Sequence, residues 1–189
     1  CGEETALLTA LEGKRANPRA KPPFPPMIGL WGKPTVANNV ETICNVPHII
    51  NNGAAWFRGL SRVADGGTQI YGVSGKVRRP GAWELPLGIT IRELLEEHAG
   101  GLRDGLSVRA ILPGGASTDL LTAEHLDVVM DFNGVAAAGS RLGTGTMVVI
   151  DDRTCIVGMT ANLMRFFAQE SCGWCTPCRE GLPWLAKLL

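Results

Sequence analysis

The sequence predicts an α+β fold that is divided into more than one domain. Apolar residues recur at helical spacing near both ends of the 189-residue chain. Between Gly66 and Ile150 the pattern changes to short runs separated by glycine and proline turns, which is typical of strands. Near the C-terminal end, three cysteines interrupt the helical pattern. These changes in the pattern of residues indicate separate domains.

The composition argues against two classes of protein. Eighteen Lys and Arg residues balance eighteen Asp and Glu residues, so no net positive charge attracts the chain to nucleic acid or to an anionic membrane. Apolar runs such as Met147–Ile150 are far shorter than the ~20 residues that a spanning helix needs. We expect no nucleic-acid partner and no membrane insertion, and the six cysteines suit a reducing compartment.

Two helices and a stiff loop are predicted at the start of the chain. The first helix should begin near Glu4 and stop at Gly13. Its apolar face would consist of Leu7, Leu8 and Leu11. Five prolines follow between Pro18 and Pro26, which excludes a helix or a central strand and predicts an extended loop. The stretch "NNVETICNVPHIINNG" predicts the second helix.

The middle of the chain, about residues 65–150, predicts a small module of strands around one helix. "TQIYGVSGKV" and "AWELP" should be strands joined by a turn at "RRPG". "TIRELLEEHAGG" should be a helix, because Thr90 and Glu93 form a capping box and Gly100 is a natural stop. "SVRAILPGG" and "GTMVVID" supply two further strands. This order indicates a β-grasp-like module.

An amphipathic helix is predicted in "DDRTCIVGMTANLMRFFAQE", directly before the cysteines. The next stretch, "ESCGWCTPCREG", places Cys172, Cys175 and Cys178 at C-x-x-C-x-x-C spacing. Glycine and proline interrupt this stretch, which lets a loop wrap so that the three sulfurs converge. Such short spacers favour an iron–sulfur cluster, since each corner takes one soft thiolate.

Two alternatives remain for the three thiols, namely zinc and free or disulfide-linked cysteines. Zinc prefers two cysteine pairs separated by a longer gap. A cubane needs four ligands, and Cys1, Cys44 and Cys155 offer no obvious fourth, because the last two fall on predicted helical stretches. We therefore expect the fourth ligand beyond Leu189. The chain begins at Cys1 and ends in a helical run without a capping signal, so we expect a fragment that is open at both ends.

The cysteine run, together with "CGEETALL", "RANPRAKPPFP" and "GKPTVANNVET", resembles the NADH-binding flavoprotein subunit of respiratory complex I, the NADH-quinone oxidoreductase F-subunit family. The resemblance covers the whole chain. It implies that residues 1–64 are the C-terminal part of an α/β flavin-binding domain, and that residues 65–150 are a β-grasp, soluble-ligand-binding domain. Residues 151–189 would begin a helical iron–sulfur domain.

The resemblance implies FMN and a 4Fe–4S cluster as cofactors, with NADH as the substrate. Cys172, Cys175 and Cys178 would be cluster ligands, and the family's fourth cysteine falls in a later segment. The family's glycine-rich FMN loop lies upstream of Cys1. Trp174 and Phe167 would exclude water from the cluster, which is our own hypothesis.

FMN contacts are implied for Gly2, Glu3, Glu4, Asn38, Asn39 and Thr42. From the residues alone, the two glutamates are simply acidic groups favoured at a helix N-terminus, and the asparagines are loop residues before a helix. By resemblance, the Gly-Glu-Glu turn lines the flavin, and Glu4, the catalytic candidate, contacts the nicotinamide nucleotide. Carboxamides and a hydroxyl offer the donors and acceptors that a flavin edge requires.

NADH contacts are implied for Lys21 and Phe24. Without the resemblance, this segment is an exposed rigid connector with one partly buried aromatic side chain. By resemblance, Phe24 stacks on adenine and Lys21 lies near polar groups of the nucleotide. Proline stiffness would preorganise both residues.

The resemblance implies hydride transfer from NADH to FMN, and then transfer of single electrons to the cluster and towards quinone. The implied partners are the 2Fe–2S thioredoxin-like subunit and the large iron–sulfur subunit of the peripheral arm. The implied location is the cytoplasmic face of the bacterial inner membrane, or the matrix face in a eukaryote. Alternatives are a diaphorase subunit of an NAD-reducing hydrogenase or NAD-dependent formate dehydrogenase, and a non-catalytic interaction fragment with structural zinc.

Overall fold

The computed structural model describes residues 2–189, which divide into two compact units. The first unit combines residues 2–47 with Ile156–Leu189, and the second is His48–Cys155. The helices are α1 Glu4–Leu11, α2 Val40–Asn52, α3 Ala54–Gly59, α4 Ile91–Glu93, α5 Phe132–Ala137, α6 Ile156–Glu170 and α7 Leu182–Leu188. The strands are β1 Thr68–Gly75, β2 Gly81–Pro86, β3 Val108–Leu112 and β4 Thr146–Asp151.

Helix α1 of the first unit begins as the sequence predicts, but its buried face differs. Glu3 is the N-cap and accepts a hydrogen bond from the backbone N–H of Ala6 at 2.8 Å. The predicted face was wrong for two of its three leucines, because Leu7 and Leu11 are 45% and 57% exposed. The buried residues of α1 are Thr5, Ala6, Leu8 and Thr9.

Hydrogen bonds explain why α1 buries Thr5 and Thr9 and leaves Leu7 and Leu11 exposed. The backbone N–H of Arg19 donates to Thr5 Oγ1 at 2.8 Å, and Arg19 Nε donates to Thr9 Oγ1 at 3.0 Å. The proline-rich loop is thus attached to the threonine side of α1. A search for apolar periodicity does not detect such a contact, because it gives no weight to threonine.

The remaining helices of the first unit follow the prediction more closely. Helix α6 covers the predicted amphipathic stretch, and Ala161 is its buried residue. Helix α7 follows a π-type turn, Pro177–Gly181, and contacts α6. Helix α2 begins in this unit and continues past Pro47, its last residue there, to Asn52.

A four-stranded mixed sheet organises the second unit, in the order β2-β1-β4-β3. Strand β1 pairs antiparallel with β2 and parallel with β4, and β3 pairs antiparallel with β4. All four strands coincide with the strands that the sequence predicts. The parallel pairing of the first and last strands, with a helix between them in sequence, confirms the β-grasp-like prediction.

The core of this unit lies against one face of the sheet. Tyr71, Met147 and Ile111 from the strands belong to one buried apolar cluster with Ile91 and Leu94 from the helical segment. That segment starts with the predicted capping box: Glu93 N–H donates to Thr90 Oγ1 at 3.1 Å and Thr90 N–H to Glu93 Oε2 at 2.8 Å. After Glu93 the helix widens to π geometry over Leu94–His98.

Across residues 2–189, no helix is both long and apolar enough to cross a bilayer.

Candidate functional site

A cleft of about 730 Å³ in the first unit brings together predicted site residues from three separate stretches of sequence. Five of the eight FMN and NADH candidates line it: Gly2, Glu4, Phe24, Asn38 and Asn39. Its other lining residues are mainly apolar: Leu7, Pro25, Pro26, Thr35, Val36, Ala37 and Val40. An apolar cleft of a few hundred cubic ångströms with a few convergent polar groups is typical of a cofactor or small-molecule site.

The proline-rich loop is anchored beside this cleft by Glu12 at the end of α1. Glu12 Oε1 accepts from Arg19 Nη2 at 2.9 Å and from the backbone N–H of Trp31 at 3.0 Å. These hydrogen bonds, that from Arg19 above all, lower the pKa of Glu12 to about 2. Glu12 is therefore ionised at neutral pH and fixes both ends of the loop that carries Lys21 and Phe24.

The wall of the cleft also needs a close approach of backbone at Gly29. A Cβ at this position would lie 2.4 Å from the Cβ of Thr35 and 2.9 Å from the carbonyl oxygen of Pro25. Only glycine allows this contact, which holds Pro25 and Thr35 together on one side of the cleft.

Phe24 presents its ring at the cleft and is 54% exposed. Its carbonyl oxygen accepts from the N–H groups of Met27 at 2.9 Å and Ile28 at 3.0 Å, which closes a tight turn after the prolines. Pro25, directly next to it, is buried. The backbone of Phe24 is thus held in place while its ring remains available for stacking.

The three charged candidates, Glu3, Glu4 and Lys21, form one ionic cluster at the start of α1. Lys21 Nζ donates to Glu3 Oε1 at 3.2 Å and also to Glu4 Oε1. The hydrogen bond from Lys21 lowers the pKa of the Glu4 carboxyl and raises the pKa of the Lys21 ammonium. Burial raises the pKa of Glu3, but hydrogen bonds from Thr5 and from the Ala6 N–H outweigh it and the pKa is lowered.

All three groups therefore carry charge at neutral pH, with one negative charge in excess. Glu4 is shared between the ion cluster and the cleft, whereas Lys21 and Glu3 do not line the cleft. Glu4 thus lines the cleft while its carboxylate is paired with Lys21.

Asn38 and Asn39 reach the cleft, and Thr42 does not. The side-chain oxygen of Asn39 accepts from the Glu41 N–H at 2.8 Å, and its carbonyl accepts from the Ile43 N–H at 3.1 Å. Asn39 is therefore the cap of α2. Thr42 lies on the exposed surface of α2.

The cysteine run lies on the loop after α6 and on the π-type turn before α7. Cys172 and Cys175 are exposed, and Cys178 Sγ lies 3.3 Å from Ser171 Oγ. Within residues 2–189, no three Cys, His, Asp or Glu side chains are grouped closely enough to hold a metal ion. Cys172, Cys175 and Cys178 nevertheless lie on one short segment between α6 and α7.

A glycine turn and hydrogen bonds from Arg179 fix the backbone around the cysteines. Gly173 has a φ of 77°, a conformation that other residues rarely adopt. Arg179 Nη1 donates to the carbonyl oxygen of Gly173 at 2.7 Å, and the Arg179 N–H donates to the carbonyl of Cys175 at 2.9 Å. The donor set of three soft thiolates on one short loop suits iron–sulfur chemistry.

The other cysteines lie elsewhere. Cys44 is exposed on α2, and Cys155 is exposed just before α6 rather than within the predicted helix. Cys1 falls outside the described residues. Trp174, predicted to shield a cluster, is 45% exposed, and its ring centroid lies 5.8 Å from Lys21 Nζ.

Two parts of the cleft were not predicted from the sequence. Leu7 was predicted only as part of the apolar face of α1, yet it lines the cleft one helical turn after Glu4. The signal was present, since residues i and i+3 share a helix face. Val36 and Ala37 directly precede the asparagine pair and form part of the wall, but no residue pattern distinguishes them from an ordinary loop.

Two family models and several known proteins are similar to parts or all of this chain. Residues 158–189 match the model of the NADH-ubiquinone oxidoreductase-F iron-sulfur binding region, and residues 70–118 match the SLBB domain. The F subunit of NADH-quinone oxidoreductase from Escherichia coli K12 is 58% identical over 189 residues, which is all of this chain and 42% of that protein. Its counterpart from Mycobacterium tuberculosis is 55% identical over 188 residues, again 42% of its length.

A solved structure is similar to almost the whole chain. The crystal structure of an NAD+-reducing [NiFe]-hydrogenase in the H2-reduced state superposes with a TM-score of 0.84 at 40% identity. The match covers 99% of this chain and 31% of that chain. The chain thus spans about two fifths of the length of the curated relatives and about a third of the hydrogenase chain.

Proposed function

We propose that this chain, which is homologous over its whole length to the F subunit of NADH-quinone oxidoreductase, contributes to an NADH-oxidising flavoprotein. The observation that supports this most strongly is the cleft in the first unit. It gathers Gly2, Glu4, Phe24 and the Asn38–Asn39 pair, which come from three distant parts of the sequence. A chance resemblance of short motifs does not explain their meeting at one apolar cleft.

FMN and the nicotinamide nucleotide would share this cleft. Its volume lies in the range of small-molecule sites, and its apolar wall suits a planar ring. Asn38 would bind the polar edge or the phosphate of FMN, while Asn39 both caps α2 and borders the ligand. Phe24 would stack on adenine, and Glu4 would accept a hydrogen bond from the nicotinamide nucleotide. Thr42 and Glu3 would act from outside the cleft, with Glu3 holding Lys21.

Bound FMN would accept a hydride from NADH and release its two electrons singly, and a 4Fe–4S cluster would carry one electron at a time. Cys172, Cys175 and Cys178 would supply three thiolate ligands to that cluster. Arg179 fixes the backbone between them through Gly173 and Cys175. The proposed domains are residues 1–64 for flavin and nucleotide, 65–150 for the β-grasp and 151–189 for the start of the iron–sulfur part.

In a complete enzyme this chain would belong to the peripheral arm of complex I. The proposed partners are the 2Fe–2S thioredoxin-like subunit and the large iron–sulfur subunit, with quinone as the final acceptor. The proposed location is the cytoplasmic side of the bacterial inner membrane. We propose no contact with nucleic acid.

The test uses the full-length protein, reconstituted anaerobically with FMN, iron and sulfide. We expect one bound FMN, a reducible iron–sulfur signal in low-temperature EPR, and NADH oxidation with ferricyanide as acceptor. The variant Asn38→Ala should lose FMN affinity, and Asn51→Ala on α2, which does not line the cleft, should keep it. A protein that binds neither FMN nor NADH would contradict the proposal.

A second candidate is the diaphorase subunit of an NAD-reducing hydrogenase. The superposition on such a hydrogenase at 40% identity favours it. Both candidates use the same cleft and cysteines, so the partner decides between them. Co-purification with a hydrogenase subunit and hydrogen-dependent reduction of NAD+ would establish the second candidate, whereas NADH-dependent quinone reduction by the assembled complex would establish the first. Tightly bound zinc without iron would instead support the structural-zinc alternative.

A further inference from the structure

Lys21 connects two features that are far apart in the sequence. Its ammonium pairs with Glu3 and Glu4 at the start of α1. The same Nζ lies 5.8 Å from the ring centroid of Trp174. Trp174 belongs to the cysteine loop, between Cys172 and Cys175. One cation therefore contacts both the acidic edge of the cleft and the loop that carries the thiols.

The distance to Trp174 is within the range of a cation–π contact, and tryptophan has the strongest such face. The Lys21 side chain is only 18% exposed, so water does not fully screen the contact. The two carboxylates hold the ammonium from one side, and the indole adds a third partner on the loop. These three partners fix the end of a long and otherwise flexible side chain.

We propose that Trp174 is a positioning residue for the nucleotide site, because its indole face holds Lys21, and Lys21 in turn holds Glu4 at the cleft. This inference rests on the proposed function of the cleft. Trp174 does not line the cleft itself. Trp174 therefore affects a bound nucleotide only through Lys21. Once Lys21 has been removed, substitution of Trp174 should no longer change the affinity for the nucleotide.

The contact also makes the two sites interdependent. A rearrangement of the 171–176 loop that moves Trp174 changes how firmly Lys21 is held, and this changes the freedom of the Glu4 carboxylate. By thermodynamic reciprocity, a nucleotide that orders Glu4 and Lys21 also favours one position of Trp174. The cysteine loop and the nucleotide cleft thereby act on each other through one side chain.

The experiment is a double-mutant cycle on NAD+ affinity in the full-length protein with its cofactors, measured by calorimetry under anaerobic conditions. The variants are Trp174→Leu, Lys21→Met and the pair together. Trp174→Phe keeps an aromatic face. Trp184→Leu removes a tryptophan from α7 that is 71% exposed, and it controls for the loss of an indole.

We expect Trp174→Leu to raise the Kd for NAD+ by about two- to fivefold, the size of a cation–π contact near a surface. Trp174→Phe should change it by less than about twofold, since its ring retains a negative face, and Trp184→Leu should leave it unchanged. In the Lys21→Met background, Trp174→Leu should have no further effect.

Two results would overturn the inference, and they are distinct. If the wild-type protein does not bind NAD+, the proposed function fails and the positioning role fails with it. If the wild-type protein binds NAD+ but Trp174→Leu has the same effect with and without Lys21, only the inference fails. A variant that does not fold is recognised by its circular dichroism, and Trp174→Gln, which also lacks an aromatic face, then replaces Trp174→Leu in the cycle.

Discussion

Removal of the Phe24 ring tests the nucleotide site most directly. Phe24 is 54% exposed at the cleft, so Phe24→Ala removes surface that a bound base can cover and little that supports the fold. A phenylalanine side chain has about 200 Å² of surface, of which about 110 Å² is open here. At about 25 cal/mol/Å², full coverage by adenine would contribute about 2.7 kcal/mol and half coverage about 1.4 kcal/mol. The Kd for NAD+ should rise about 10- to 100-fold.

Calorimetric titration with NAD+ and with FMN separates this effect from a general loss of structure. Phe24→Ala should weaken NAD+ binding while the affinity for FMN stays within about twofold, because only the adenine contact is lost. Phe24→Tyr should restore NAD+ binding. Phe132→Ala, in the second unit, removes a similarly exposed ring (60%) and should have no effect. Equal NAD+ affinity in Phe24→Ala and the wild type would refute the stacking role.

Three further predictions concern stability and the cluster. Tyr71→Phe removes a buried hydrogen bond of 2.6 Å to the Met130 carbonyl, and should lower the free energy of opening β1, measured by hydrogen exchange, by about 1–3 kcal/mol. The pKa of Glu12 is about 2 in the folded protein against 4.5 ordinarily, chiefly because of Arg19. Its contribution to stability is complete above the ordinary value and disappears as pH falls towards 2, so the Tm advantage of wild type over Glu12→Gln should shrink across this interval. Cys178→Ala should lower the iron content of the reconstituted full-length protein, measured by iron analysis and EPR.

Each of these predictions has a matched control. Thr68→Val removes an exposed hydroxyl hydrogen bond from the same strand as Tyr71 and should change the opening of β1 by less than about 0.5 kcal/mol. Lys14→Gln removes a weaker partner of Glu12, so the pH profile should change little. Cys44→Ala should leave the iron content intact. A Tm difference between wild type and Glu12→Gln that is constant with pH would argue against the role assigned to Glu12.

The strands and the capped helix were predictable because their signals are local. The β1–β2 hairpin and the capping box at Thr90 each depend on a few neighbouring residues, and both occur where the sequence placed them, although the hairpin connection is residues 76–80 and not a tight turn at "RRPG". The π-type widening after Glu93 was not predictable, because the helical repeat of apolar residues does not distinguish it from an α-helix. The buried side of α1 was predicted wrongly because its cause is not local. It is set by hydrogen bonds to Thr5 and Thr9 from Arg19, which lies outside the helix.

The candidate site was predictable in residue identity but not in arrangement. The resemblance supplied Gly2, Glu4, Phe24 and the asparagines, and the cleft unites them. Nothing in the spacing of Lys21 and Trp174 indicates that they meet, because the contact joins residues from opposite ends of the chain. The cysteine spacing predicts candidate ligands, but a pattern of three residues does not determine the turn at Gly173 or the hydrogen bonds from Arg179 that fix the backbone between them.

The strand order of the second unit has a consequence for biosynthesis. Strand β1 lies between β2 and β4, and Gly72 pairs with Thr146. The β1–β2 hairpin can form as soon as Pro86 leaves the ribosome, but one edge of β1 remains open until β4 has been made. During that interval the nascent chain presents a bare strand edge, which is a template for pairing with a neighbouring chain. Slow translation before Thr146 would lengthen this exposure, and a chaperone that covers strand edges would shorten it.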